Sequence, residues 1–222
     1  MCDFERKVTA DNILIDLSSD EKQLVWSEKS RKTLLKTRVF SVCETTATSP
    51  FGKSRNYSVI EAANWAIVVP EVINKDGKFF AMVKQWRHGA KNLSVEFPGG
   101  VIEDDETPAI GAARELREET GYCAGKLTEL GCMSPNPAIM ANNVYFFLAQ
   151  DLVKDGDQKL DADEFVNVQL VDCNKVICGM GKPPYIHSLM ASALCLYFGH
   201  NTNVETYAKK YSDPLVKKAL AK

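Results

Sequence analysis

Apolar and polar residues alternate along the first part of the chain in the manner of β-strands. Residues 33–42 alternate and are rich in β-forming side chains, residues 49–52 have the composition of a turn, and residues 56–62 alternate again. The polar stretch before them favours one short helix near residues 18–27. These patterns predict an added antiparallel sheet within an N-terminal extension that covers residues 1–62.

Later segments with the composition of β-strands are residues 65–69, 79–86, 127–133, 143–149 and 165–171. The first two are joined by Asn74-Lys75-Asp76-Gly77, which is a strong hairpin signal. A largely apolar helix is predicted over residues 185–198. The strands therefore belong to a domain covering residues 63–200, followed by a lysine-rich tail over residues 201–222.

The clearest helix follows the turn Pro98-Gly99-Gly100. Thr107 is well placed as its N-cap, Pro108 as its first residue, and Gly121 as the residue that ends it. We expect its inward face, opposite its carboxylates, to consist of Ala109, Ala112, Ala113 and Leu116. Strands that flank two well-spaced helices predict an α/β (α+β) protein, with a mixed sheet in an α/β/α sandwich.

Composition narrows the class of protein. The 222 residues are 45% hydrophobic and 25% charged, as in an ordinary globular protein. The net charge of −2 argues against a nucleic-acid-binding surface that works by bulk charge. No apolar run approaches the length of a membrane span, and the N-terminus lacks the apolar core of a secretory signal. Seven scattered cysteines without C-x-x-C spacing predict reduced thiols in a cytoplasmic protein. From the net charge and the lack of a long apolar run, we expect neither nucleic acid nor membrane as partner.

Three carboxylates share one face of the clearest helix. Glu115, Glu118 and Glu119 stand at positions i, i+3 and i+4. Like charges this close repel one another, so the cluster destabilises the helix unless a cation neutralises it. Oxygen ligands without cysteine or histidine suit Mg²⁺ or Mn²⁺ rather than zinc. The spacing predicts a divalent-metal site, and the alternative is a solvated acidic face on a surface helix.

The segment from Gly100 to Tyr122 has the spacing G-x5-E-x7-R-E-U-x-E-E-x-G-U, where U is a bulky apolar residue. Leu116 fills the first U, and Tyr122 fills the last, where an aliphatic residue is more usual. Seven fixed residues in register arise by chance on the order of 10⁻⁸ per window. The spacing resembles the Nudix hydrolase box. This resemblance implies the Nudix fold and the hydrolysis of a diphosphate linked to another group.

A wider resemblance points to the ADP-ribose pyrophosphatase-like subfamily. The runs Lys84-Gln85-Trp86-Arg87 and Val95-Glu96-Phe97-Pro98-Gly99-Gly100 resemble two of its motifs, with Trp86 and Gly99 in place of the commoner Tyr and Ala. Pro137 stands where the subfamily typically carries a proline. The N-terminal sheet resembles the one that these enzymes use for dimerisation, so the resemblance implies a homodimer.

The resemblance also implies roles for the residues of the box. Glu115 and Glu119 are expected to ligate the metal directly, with the Gly99 carbonyl completing the inner set of ligands. Glu118 is expected to be a further ligand, either direct or through a water molecule. Because glycine has no Cβ, the turn at Gly99 lets the backbone approach a metal ion or a phosphate closely.

Three charged residues are expected to support this site. By resemblance, Arg87 binds a substrate phosphate, and the alternative is a surface ion pair. Glu96 is expected to help hold the metal cluster or the ribose, and the alternative is a strand-end carboxylate that faces water. Arg114 is expected to orient Glu106 and the helix through an ion pair rather than to contact substrate.

The general base is expected in the acidic loop after the box. Asp163 and Glu164 precede a strand there, as the acidic triplet of the subfamily does. Either side chain could deprotonate the attacking water, and either could be a solvated loop charge. We place Glu164 ahead of Asp163 because its side chain is longer.

These observations lead to one leading hypothesis, a cytoplasmic Mg²⁺-dependent pyrophosphatase that cleaves ADP-ribose to AMP and ribose 5-phosphate. The alternative substrates are another nucleoside diphosphate sugar or related dinucleotide, a coenzyme A-type diphosphate, or an oxidised nucleotide. A different class of protein is a nucleotide-sensing module that binds without turnover, although such proteins usually have a damaged box. An RNA pyrophosphohydrolase would need a basic channel, which the net charge of −2 does not favour.

Overall fold

The computed structural model describes residues 18–160 and 164–201. These residues belong to two compact units, one formed by residues 18–64 with Cys132–Val144 and the other by Trp65–Gly131 with the described residues from Tyr145 onward. Within the described residues, no helix is both long and apolar enough to pass through a membrane. Each unit is built on its own sheet.

The first unit contains a three-stranded antiparallel sheet in the order β1-β2-β3. Its elements are α1 (Ser19–Lys22), β1 (Ser27–Lys36), β2 (Phe40–Thr48) and β3 (Ser54–Ala62). The predicted N-terminal antiparallel sheet is confirmed. The prediction of one strand over residues 33–42 is wrong, because the chain turns where the Thr37 hydroxyl accepts hydrogen bonds from the amides of Val39 and Phe40. This turn contains neither glycine nor proline, so the alternation of residues did not indicate it.

The second unit is built on a seven-stranded sheet in the order β10-β5-β4-β9-β8, in which β6 pairs with β5 and β7 pairs with β4. The strands are β4 (Trp65–Asn74), β5 (Gly77–Arg87), β6 (Asn92–Glu96), β7 (Gly99–Val101), β8 (Tyr122–Met133), β9 (Val144–Lys154) and β10 (Asn167–Asp172). The predicted hairpin at residues 74–77 is confirmed, since β4 and β5 pair antiparallel from Asn74 and Gly77.

The two central strands of this sheet are covered on both faces. Consecutive residues of a strand point to opposite faces, and the four consecutive residues Phe80, Ala81, Met82 and Val83 of β5 are all fully buried. Phe80 packs edge-to-face against Phe97 and Tyr197, with ring centroids 5.2 and 5.4 Å away. Helices pack onto β4 and β5. The predicted fold class, mixed α and β with an extra antiparallel sheet, is confirmed.

Helix α2 (Pro108–Thr120) begins and ends where the sequence predicted. The Thr107 side chain accepts a hydrogen bond from the amide of Ile110, and Gly121 ends the helix in the left-handed conformation, with φ of 70°. The predicted inward face is half wrong, because Ala109 and Ala113 are exposed. The buried residues of α2 are Gly111, Ala112, Leu116, Glu119 and Thr120.

This correction matters for the carboxylates. Ala112, Leu116 and Glu119 stand at positions i, i+4 and i+7, which follow one line along a helix. Glu119 therefore continues the buried apolar line of α2 and does not lie opposite to it. The carboxylate of Glu119 is therefore buried next to β7, where it accepts a hydrogen bond from the Gly99 amide.

The remaining helices are α3 (Cys173–Gly179), which the sequence did not predict, and α4 (Ser188–Asn201). Helix α4 begins later than the predicted residues 185–198, after the Pro183-Pro184 dipeptide and the loop that follows it. The predicted tail after Asn201 lies outside the described residues. Met190 of α4 lies 2.9 Å from the amide of Phe97, which joins this helix to the loop before β7.

Candidate active site

Two glycines allow β7 to lie between β4 and α2. A Cβ at Gly99, whose φ is 156°, would lie 2.1 Å from the carbonyl oxygen of Ala66 in β4. A Cβ at Gly100 would lie 2.6 Å from a carboxylate oxygen of Glu115. Both distances are far below a van der Waals contact. The backbone of the turn therefore lies directly against the acidic side of the helix.

Glu119 is the most deeply buried carboxylate of α2, with 5% of the residue exposed. The Gly99 amide donates a hydrogen bond to its Oε2 at 2.8 Å. Burial, helped by the charges of Glu115 and Glu164, raises the pKa of Glu119 to about 8 against the lowering effect of the Gly99 hydrogen bond. Glu119 is thus a group whose charged form needs a cation.

Glu115 lies beside it. Burial raises the pKa of Glu115, and the charges of Glu118 and Glu164 act in the same direction, while Arg114 opposes them. The Nη1 atom of Arg114 lies 2.9 Å from Oε1 of Glu115 and 3.0 Å from Oε2 of Glu118. One guanidinium nitrogen therefore holds these two carboxylates together.

Arg114 also makes the predicted ion pair with Glu106. Its Nε and Nη2 atoms donate to the two carboxylate oxygens of Glu106 at 2.7 and 2.9 Å, and Nη2 donates to the Val101 carbonyl at 2.9 Å. This fork ties the loop before α2 and strand β7 to the helix. Nε, Nη1 and Nη2 of Arg114 therefore all donate hydrogen bonds to groups of the protein itself, which is a structural role.

Arg87 and Glu96 form a second fork at the ends of β5 and β6. Nε and Nη2 of Arg87 donate to Glu96 at 3.0 and 2.5 Å, and Glu96 is only 1% exposed. Burial alone would raise the pKa of Glu96, but the hydrogen bonds and charge of Arg87 outweigh it and hold that pKa below its usual range. The alternative of a water-facing carboxylate at Glu96 is wrong. Nη1 of Arg87 makes no hydrogen bond to any described residue.

The structure brings Glu164 to the same region. Its charge contributes to the raised pKa of both Glu115 and Glu119, and its side chain is exposed. Asp163 lies outside the described residues. Glu164 is therefore the candidate base whose proximity to the acidic helix is visible, and its role as base stays a prediction.

The donor set suits a hard divalent cation. Within residues 18–160 and 164–201, no three His, Cys, Asp or Glu side chains are already arranged around one metal position. Two desolvated carboxylates, Glu115 and Glu119, nevertheless stand in mutual repulsion next to the Gly99 turn, and a cation would relieve it. To bind the ion, Glu115 and Glu118 would give up their hydrogen bonds from Arg114. Glu119 would likewise give up its hydrogen bond from the Gly99 amide. The Gly99 carbonyl stays a predicted ligand.

Sequence reasoning missed two features around this site. Burial lowers the pKa of His187, which lies in the loop before α4. The charge of Arg87 also lowers this pKa, and the charge of Glu96 opposes the change. Residues 154–159 form hydrogen bonds with the C-terminal end of α2, including one from the Gln158 side chain. Neither feature has a local sequence signal, because both depend on residues that are far apart in the chain.

The site follows one order along the chain: a glycine turn, then a helix with an N-cap, and carboxylates on that helix. We compared this chain with known protein families. A model of the NUDIX domain matches residues 63–192, which is more than half of the chain. This chain belongs to the Nudix family. The resemblance found in the box from Gly100 to Tyr122 is confirmed.

Two relatives with assigned names match the chain over about half of its length. The ADP-ribose pyrophosphatase of Bacillus subtilis is 37% identical over 123 residues, which cover 55% of this chain and 65% of the relative. The ADP-sugar pyrophosphatase of Mus musculus is 34% identical over 130 residues, covering 53% of this chain and 57% of the relative. In both comparisons the matched part is less than two thirds of the relative's length.

A solved structure supports the Nudix fold. The crystal structure of an ADP compounds hydrolase superposes with a TM-score of 0.67, covering 79% of this chain and 95% of that chain at 22% identity. At this identity the superposition shows the fold alone. Nudix hydrolases generally use divalent metal ions, which agrees with the acidic character of α2.

Proposed function

We propose that this Nudix protein is a Mg²⁺-dependent pyrophosphohydrolase that cleaves ADP-ribose to AMP and ribose 5-phosphate. The observation that carries the proposal is the pair Glu115 and Glu119, two desolvated carboxylates with raised pKa values beside the Gly99 turn. A chain gains no stability from such a pair alone, so the pair is best explained by a bound cation.

The nature of the substrate is supported by the relatives. Two of them, 37% and 34% identical, are named for pyrophosphatase activity on ADP-ribose and on ADP-sugars. ADP-ribose is our first choice because the motifs around Arg87 and Glu96 also resemble the ADP-ribose subfamily. Another ADP-sugar is the second candidate, since Trp86 and Gly99 replace the residues that are commoner in that group.

The proposed mechanism assigns the metal to Glu115 and Glu119, with Glu118 and the Gly99 carbonyl as further ligands. When bound, Mg²⁺ neutralises charge on the diphosphate and lowers the pKa of the attacking water. Arg87, held in place by buried Glu96, is proposed to bind a phosphate oxygen through Nη1.

The chemical step is a displacement at phosphorus. A water molecule attacks one phosphorus, and the bond between that phosphorus and the bridging oxygen breaks. Glu164 is proposed to accept the proton that the water loses. The products are two phosphomonoesters, and no covalent enzyme intermediate is needed.

The experiment that tests this function is product profiling with Mg²⁺. Purified protein is incubated with ADP-ribose, other nucleoside diphosphate sugars, coenzyme A, nucleoside triphosphates and 5′-triphosphate RNA, with Glu119→Gln as the control. We expect ADP-ribose to yield AMP in the wild type and not in the variant. Turnover of another compound alone would overturn the substrate, and binding without any turnover would favour the sensing module.

We also propose that the chain forms a homodimer through its N-terminal sheet. Nine of the ten residues of β1 are exposed, and Leu34 and Leu35 are 54% and 55% exposed. Large exposed apolar side chains on a strand are typical of a protein interface. Light scattering at micromolar concentration should give twice the chain mass of 24.7 kDa, and a mass near that of one chain would contradict the proposal. A cytoplasmic location and the division into residues 1–62, 63–200 and 201–222 stay predictions.

A further inference from the structure

The C-terminal end of α2 is held by a segment that lies far away in sequence. The last carbonyl groups of a helix have no partner within it. Here they accept hydrogen bonds from residues 154–159. The pairs are Lys159 N to Glu118 O at 2.9 Å, Gln158 Nε2 to Glu119 O at 2.6 Å, Lys154 Nζ to Thr120 O at 2.9 Å, and Asp155 N to Gly121 O at 2.9 Å.

Gln158 differs from the other members of this segment. Its side-chain amide nitrogen donates both to the Glu119 carbonyl at 2.6 Å and to the Val166 carbonyl at 3.2 Å. Both partners are carbonyl oxygens, so only the NH₂ group of the amide can make these bonds. Val166 is two residues after Glu164. One side chain therefore links the backbone of the acidic helix to the backbone next to Glu164.

We propose that Gln158 is a positioning residue that fixes Glu164 relative to Glu119. The inference rests on the proposed function, in which Glu164 accepts the proton from water. Gln158 touches neither substrate nor metal in this scheme, and it acts through the backbone that carries Glu164.

Repulsion between carboxylates explains why Glu164 needs to be held in place. Glu164 is exposed and lies where the charges of Glu115 and Glu119 repel its own carboxylate. Without the bonds of Gln158, the loop would have more accessible conformations in which Glu164 lies farther from these charges. The two hydrogen bonds of Gln158 oppose this movement. They join the backbone of Val166, two residues after Glu164, to the backbone of Glu119, whose carboxylate accepts a hydrogen bond from Gly99.

The test is the variant Gln158→Leu, which keeps similar volume and removes both hydrogen bonds. We expect kcat to fall about tenfold with KM changed less than about twofold, because a small displacement of a catalytic group lowers the rate of the chemical step. The matched control is Lys154→Met, which removes a bond of 2.9 Å to the Thr120 carbonyl at the same helix end but none toward Val166. Its kcat should stay within about twofold of the wild type.

A double variant separates positioning from general damage to the helix. In a Glu164→Gln background, Gln158→Leu should lower kcat by less than about twofold, because the group that it positions is already lost. A further tenfold loss in that background would overturn the proposal, as would an equal loss in Lys154→Met. Should Gln158→Leu fail to fold, Gln158→Met offers the same reach without the donor.

The outcome also distinguishes this inference from the proposed function. A wild type that turns over no diphosphate in the panel would overturn both. An active wild type with unchanged kcat in folded Gln158→Leu and Gln158→Met would overturn the positioning role alone. Thermal melting of each variant shows that the folded protein is being compared.

Discussion

Replacing Glu119 with Gln is expected to lower kcat/KM about a thousandfold, because a lost metal ligand removes several kcal/mol of charge stabilisation and each 1.36 kcal/mol is tenfold in rate. The substitution keeps the shape of the side chain and removes its charge. Glu119 is 5% exposed and already bonded to the Gly99 amide, so the neutral amide fits the same space. Steady-state kinetics across a Mg²⁺ titration measures the effect.

The same carboxylate predicts how stability depends on pH. Because the pKa of Glu119 is raised to about 8 from 4.5, the folded protein without a cation holds a proton that the unfolded chain has lost. This contribution to stability is fully present below about pH 4.5 and is lost as the pH rises through about 8. The melting temperature of the cation-free protein should fall over this interval, and Mg²⁺ should raise it more at high pH, where it replaces the proton.

A matched control separates this effect from a general change of charge. Glu129→Gln removes an exposed carboxylate from β8, and it should leave both kcat/KM and the Mg²⁺-dependent rise in melting temperature unchanged. If Glu119→Gln behaved like Glu129→Gln in both measurements, Glu119 would not be a metal ligand.

The local features of this protein could be predicted because short-range chemistry determines them. Thr107, Pro108 and Gly121 mark the ends of α2, since an N-cap hydroxyl, a fixed φ and a left-handed C-cap act within one helical turn. Asn74 and Gly77 mark the hairpin for the same reason. The spacing of the box also indicated the family, which the NUDIX match confirms.

The burial of α2 could not be predicted in this way. Alanines are expected inside and glutamates outside, yet Ala109 and Ala113 are exposed while Glu119 is buried. A functional site reverses the usual preference, because the buried carboxylate of Glu119, unlike that of Glu96, which Arg87 pairs, is proposed to be neutralised by a bound cation that the sequence does not contain. The error therefore lies at the residue that carries the proposed function.

The contacts around Gln158 show a second limit. Its bonds to the carbonyls of Glu119 and Val166 involve backbone atoms, which every residue has, so no residue type at those positions signals them. Their formation depends on where β9 and the loop after it place residues 154–159 against the end of α2. Such information comes from the fold and not from a motif.

Replacing Glu164 with Gln is expected to lower kcat about a hundredfold, which is the size of effect that general-base catalysis supplies. The reason is that an amide cannot accept the proton that the attacking water loses. KM should change little, since Glu164 has no proposed contact with the substrate in its ground state. Single-turnover kinetics with saturating ADP-ribose and Mg²⁺ measures the chemical step directly.

Asp163→Asn is the decisive comparison for this assignment. If Asp163 is the base, the hundredfold loss moves to that variant, and Glu164→Gln retains most of the activity. If neither variant lowers kcat by about a hundredfold, the acidic loop does not supply the base. The charge that Glu164 places near Glu115 and Glu119 favours Glu164 as the base, because a carboxylate that affects the pKa of the proposed metal ligands lies close to where the metal and its water would be.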